Sequence, residues 1–159
     1  MNNSWRTAAL CCVVILIASP SQAQETVIKK QDVPKNIRDA FQKDYPQVKT
    51  IGYSKEIVDG TVFYEIESTE ADIHRDVTYA ADGSLVSVEE TLPFEEMPEA
   101  VRATISSEYP KATIGRCEKV TKSSTTEYEI LVSLGKIKHE LVLDETGTIV
   151  KKEVKKNLR

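Results

Sequence analysis

The second half of this chain repeats the first. Laid over residues 97–154 at a constant spacing of 64, residues 33–90 match without a gap. Val33-Pro34 falls on Met97-Pro98, Tyr45-Pro46 on Tyr109-Pro110, and Tyr64-Glu65-Ile66 on Tyr128-Glu129-Ile130. Gly83 meets Gly147, Leu85-Val86 meets Ile149-Val150, and Glu89 meets Glu153. A fixed internal period makes each copy one supersecondary unit, so the chain must adopt a fold that the same element order can build twice.

Each copy opens as a helix. Pro34 and Pro98 suit a first helical turn, where the missing N–H costs nothing. Ile37, Ala40, Phe41 and Tyr45 then recur at helical spacing, as do Val101, Thr104, Ile105 and Tyr109. That leaves Arg38, Lys43 and Asp44, or Arg102 and Glu108, for water. Pro46 and Pro110 end the helices, because the residue before a proline is pushed out of the α region.

Four strand-like runs follow, in the first copy roughly 48–58, 61–68, 73–81 and 84–90. Asp59-Gly60 and Asp82-Gly83 separate the outer pairs of runs and are strong hairpin signals; Ser123-Ser124 and Thr146-Gly147 stand at the same points in the second copy. Such short connections predict an antiparallel meander. In the second run Val62, Tyr64 and Ile66 alternate with Phe63, Glu65 and Glu67, so one sheet face is packed under the helix and the other is free. The predicted fold class is α+β: two tandem repeats, each one helix packed on a four-stranded antiparallel sheet. The connection 91–96 is too short for independent domains, so the sheets are expected to lie side by side or to join edge to edge as one continuous eight-stranded sheet. Residues 24–32 read as a flexible lead-in. The repeats, 33–90 and 97–154, belong to one compact domain over 33–159.

Residues 1–23 have the parts of a secretory signal: Arg6, a short apolar run over 8–18, and Ser21-Gln22-Ala23 as a cleavage site. The run falls short of the ~20 apolar residues that span a bilayer. Neither Cys11 nor Cys12 has the flanking small residue that a lipoprotein signal requires. An exported protein, periplasmic or secreted, is predicted, with no stable membrane anchor after cleavage. The remaining 136 residues carry 20 basic and 25 acidic side chains, a formal charge of −5, which argues against nucleic acid as a partner. Only Cys117 survives cleavage. With no electropositive neighbours to favour a thiolate, it reads as a small buried hydrophobe.

No catalytic, cofactor or metal site is predicted. His74-Arg75 and Lys138-His139 hold the same repeat positions, but adjacent strand residues face opposite sides, and the pairs read as solvated strand starts without a ligand set. Asp82 and Asp144 belong to hairpin turns that lack the alternating oxygens of a calcium loop. Phosphate-binding loops and the nucleophile elbow are absent. The basic stretch 151–159 reads as a last strand running out, since Val154 and Leu158 are too few to insert into a membrane. The free sheet face remains. Phe63, Glu65, Glu67, Glu127, Glu129 and Leu131 would form an acidic strip with apolar points there, a candidate partner-binding face.

Val33-Pro34 with Tyr45-Pro46, Tyr64-Glu65-Ile66 and Asp82-Gly83-Ser84-Leu85, repeated as Met97-Pro98 with Tyr109-Pro110, Tyr128-Glu129-Ile130 and Thr146-Gly147-Thr148-Ile149, resemble the beta-lactamase-inhibitor-like, PepSY-like family of small exported bacterial proteins. Met97 and Thr146 depart from its pattern without disturbing the fold. The resemblance implies a tandem α+β fold without catalytic residues, and relatives that bind proteins. The functional expectation is therefore a non-enzymatic exported protein that recognises a protein partner in the cell envelope, inhibitor-like or regulatory. The alternative is a periplasmic carrier or sensor of a small molecule or ion.

Overall fold

The computed structural model describes residues 24–155; the expected signal segment lies outside the described residues. The chain runs β1 (Gln24–Val27), a 3-10 turn (Lys30–Asp32), α1 (Lys35–Asp44), β2 (Lys49–Val58), β3 (Thr61–Glu70), β4 (Ile73–Ala80) and β5 (Leu85–Thr91). A second 3-10 turn (Phe94–Glu96) leads to α2 (Glu99–Glu108), β6 (Thr113–Lys122), β7 (Thr125–Leu134), β8 (Ile137–Asp144) and β9 (Ile149–Lys155). Each element from α1 to β5 has a counterpart from α2 to β9 whose bounds lie 64 residues on.

All strands join one antiparallel sheet in sequence order, and β5 pairs with β6 to fuse the two halves. The sheet has nine strands rather than eight. The lead-in expected to be flexible instead contributes β1, which pairs with β2 from Gln24↔Ile57 to Val27↔Ser54. The side chains of Glu25, Thr26 and Val27 are exposed. What orders this segment is the row of backbone donors and acceptors along the edge of β2, which apolar patterning does not register.

Pro34 and Pro98 sit just outside their helices as caps, with φ of −52° and −51°. Tyr45 and Tyr109 close them, each donating its N–H to the carbonyl four residues back, Phe41 and Ile105. Both helices lie on the same kind of core. Val33, Ile37 and Phe41 pack on Ile66, Val77 and Tyr79. Met97, Val101, Ile105 and Tyr109 pack on Cys117, Tyr128, Ile130, Val132, Leu141 and Leu143.

The opposite face has no helix, yet Ser54, Ser87, Glu118, Val120 and Val142 on it are buried. Register shifts at Thr50/Gly52, Thr78/Tyr79, Ile114/Cys117 and Val142/Leu143 bend and twist their strands. The helix-free face is thus sheltered by its own side chains and by the bending of the sheet.

Candidate functional site

Alternation along β3 and β7 turns Tyr64 and Ile66, and Tyr128, Ile130 and Val132, toward the helices. Phe63, Glu65, Glu67, Glu127, Glu129 and Leu131 therefore share the helix-free face. They form two groups, not one strip. β4, β5 and β6 lie between β3 and β7, a separation of about 19 Å at ~4.8 Å per strand. Acids of the intervening strands fill that gap. Glu67 pairs with Asp76, Asp76 with Glu89, Thr91 with Glu118, and Glu118 with Glu129. Sequence reasoning missed Asp76, Glu89 and Glu118. Their strand parity was readable, but their central place follows only from the β5–β6 pairing.

This row of carboxyls is partly shut off from water. Burial, reinforced by the charges of Asp76, Glu25, Glu89 and Glu67, raises the pKa of Glu65 to about 7. Glu89 is likewise raised to about 7 by burial, then by Glu129, Glu118 and Asp76, against the opposing Lys122. Burial also raises Asp76, opposed by His74 and Arg116, and Glu118, opposed by Arg116. Glu129 rises by burial and the neighbouring Glu140. The charged form of each acid is disfavoured where it stands. Basic groups occupy the surround: Arg116 Nε lies 3.1 Å from Glu118 Oε2, and Lys122 Nζ 3.2 Å from Glu127 Oε2. Half-buried Phe63 and Leu131 supply apolar contact at either end.

Glu67, His74 and Asp76 each bring a ligand-capable atom within 4.8 Å of the others on this face. The sequence reading of His74 as a solvated strand start without a ligand set leaves out these two acids. The two-residue period of β4 supplies Asp76, while Arg75 turns to the other side. Arg75 is not the solvated residue expected from its place at a strand start. It is buried, donates from Nε to Glu90 Oε1 at 2.6 Å, and lies 4.6 Å over the Tyr45 ring. Its counterpart His139 is half-buried. Cys117 is buried in the second core, and burial, with Glu95 and Glu118 adding, pushes its thiol up to about 11, which keeps it protonated. Asp82 and Asp144 spend carboxylate oxygens on their own turns, accepting from the N–H of Ser84 and from those of Thr146 and Thr148.

A separate groove of about 680 Å³ opens where the halves meet, lined in part by Ile73, Leu92, Pro93, Arg116 and Cys117. No helix among the described residues is long and apolar enough to cross a membrane.

Known structures share this architecture. A DUF2874 family protein from Bacteroides ovatus aligns with 20% identity over 76% of this chain and 86% of its own, with a TM-score of 0.64. A protein from Bacteroides eggerthii described as periplasmic aligns with 15% identity over 77% and 88%, TM-score 0.65. A BLIP-like protein from Bacteroides fragilis aligns with 21% identity over 78% and 87%, TM-score 0.62. Among curated proteins none matches the sequence. The family described as beta-lactamase-inhibitor-like, PepSY-like matches residues 21–87 and again 63–151. Together these cover most of the chain, which belongs to the beta-lactamase-inhibitor-like, PepSY-like family.

Proposed function

We propose that this is an exported, non-enzymatic binding protein, a tandem duplication of one helix-and-sheet unit, whose helix-free face recognises a protein partner in the cell envelope in an inhibitor-like or regulatory way. The observation that carries the reading is the sheltered row Glu65, Asp76, Glu89, Glu118 and Glu129. Crowding carboxyls where water is scarce works against the fold, because each must stay protonated or go without full hydration. A partner presenting Lys or Arg side chains would relieve that cost with charge-assisted hydrogen bonds, while Phe63 and Leu131 offer apolar anchors. Family membership and the periplasmic description of the B. eggerthii neighbour support an exported binding role. So does the signal-like N-terminus.

The test compares the protein with a Phe63→Ala, Glu129→Lys double variant as bait in envelope extract, followed by titration of whichever partner is recovered. The expected outcome is that the variant loses at least ~10-fold in affinity, about 1.4 kcal/mol. Equal recovery and equal affinity would remove the sheet face from the account.

A second reading rests on the groove between the halves, whose size suits a small molecule. It predicts a higher Tm in the presence of that ligand, since binding only the native state stabilises by RT ln(1 + [L]/Kd). A screen of envelope metabolites that leaves Tm unmoved would remove it.

A further inference from the structure

We propose that Glu67, His74 and Asp76 form a binding site for a divalent transition-metal ion, with zinc(II) as the ion that fits the donor set. This inference does not rest on the protein-partner reading and would survive its failure. The register builds the site: His74 and Asp76 lie two residues apart on one face of β4, and Glu67 stands directly opposite Asp76 on β3. One imidazole nitrogen and two carboxylate oxygens result, all within 4.8 Å of one another. Zinc takes this mixture of donors, and three protein ligands leave a fourth position open, as in reactive or exchangeable zinc sites.

Asp76 Oδ1 has almost no access to water and makes no aligned hydrogen bond, although His74 Nε2 stands 3.1 Å away. That contact is poor as a hydrogen bond. It is close to the ~3.3 Å edge of a tetrahedron whose ligands lie ~2.0–2.1 Å from zinc.

Glu67 is held by a neighbouring strand. A Cβ on Gly52 would lie 2.6 Å from Glu67 Oε1 and 2.9 Å from Oε2, so the carboxylate occupies the notch that only glycine leaves at that point. The surroundings favour a cation, because Asp76 acts as a like charge on Glu65, Glu89 and Glu118. Arg116 is the opposing cation beside it.

The second half of the molecule supplies an internal comparison. At the same fold positions, 64 residues on, stand Leu131, Lys138 and Glu140, and Leu131 packs beside a glycine, Gly115, one residue before the position equivalent to Gly52. The framework is kept while two of three donors are gone. The donor set is therefore not something the fold requires.

The experiment titrates Zn²⁺ alone into chelator-treated protein by calorimetry, with the imidazole signals of His74 and His139 followed by NMR. The inference expects one zinc per chain, displacement of the His74 signals and not those of His139, and at least ~10-fold weaker binding by Asp76→Asn. A Glu67→Leu, His74→Lys variant, which installs residues the fold accepts in its other half, is expected to lose binding while keeping its zinc-free Tm. Gly52→Ala, which displaces the Glu67 carboxylate, serves as a second variant should that one fail to fold, and is expected to weaken binding. No saturable binding, a response at His139 instead, or variants that bind as tightly as the parent would overturn the inference.

Discussion

At the scale of single residues, Glu65 and Glu89 set the behaviour of the candidate face. Both have a native pKa near 7, above the ~4.3 of an unfolded glutamate. Between those two values the folded protein binds more protons than the unfolded chain, so stability falls as pH rises through the window. The raised values of Asp76, Glu118 and Glu129 act in the same direction. Tm is therefore expected to rise by on the order of several degrees between about pH 8 and about pH 5. Glu89→Gln, which removes the half-buried charge and keeps the shape, is expected to raise Tm at the upper end and flatten the profile. A melting series that falls steadily from pH 8 to pH 5, with no gain from Glu89→Gln, would refute this. These acids show where reading from sequence stopped. The parity of Glu65 and Glu129 was legible from β alternation, but burial on a face without helices depends on bulges and on neighbours one or two strands away, whose register the sequence does not give. For the same reason Asp76, in plain view two residues after His74, went unrecognised as its neighbour.

At the scale of elements, the positions that match 64 residues apart are helix stops, core strands and turns, and these were legible because period, proline and turn chemistry are local. β1 was not, since its order comes from backbone pairing to β2 and its side chains stay exposed. The equivalent glycines Gly83 and Gly147 show how one sequence signal hides two environments. Both have positive φ, 92° and 81°, which costs an L-residue about 1–2 kcal/mol. A Cβ on Gly83 would meet the movable amide of Asn36 at 2.7 Å, whereas on Gly147 it would meet the backbone carbonyl of Ala100 in α2 at 2.5 Å. Thr104 Oγ1 also donates to the Gly147 carbonyl at 2.8 Å, tying turn to helix. Gly83→Ala is expected to cost about 1–2 kcal/mol in denaturant melts, and Gly147→Ala clearly more because α2 must shift. Equal losses would show that the turn is not clamped against α2.

At the scale of the whole molecule, the β5–β6 pairing decides what the protein offers to others. It places the acids of five neighbouring strands, β3 to β7, on one continuous, helix-free surface, while the two hydrophobic cores remain separate beneath their own helices. The same element order, met twice along the chain, gives that surface its breadth, and the residues that differ 64 positions apart give it its chemistry: Phe63 against Glu127, Glu67 against Leu131. The central claim is that this surface is where a partner docks. Carboxyl-labelling footprinting of the protein with and without its bound partner tests it most directly, because it reads the acids of both sides in one sample. The account expects protection at Glu65, Glu89 and Glu129, with Asp39, Glu99 and Glu108 on the helices labelled as before. Protection of the helix acids with undiminished labelling of the sheet acids would contradict it.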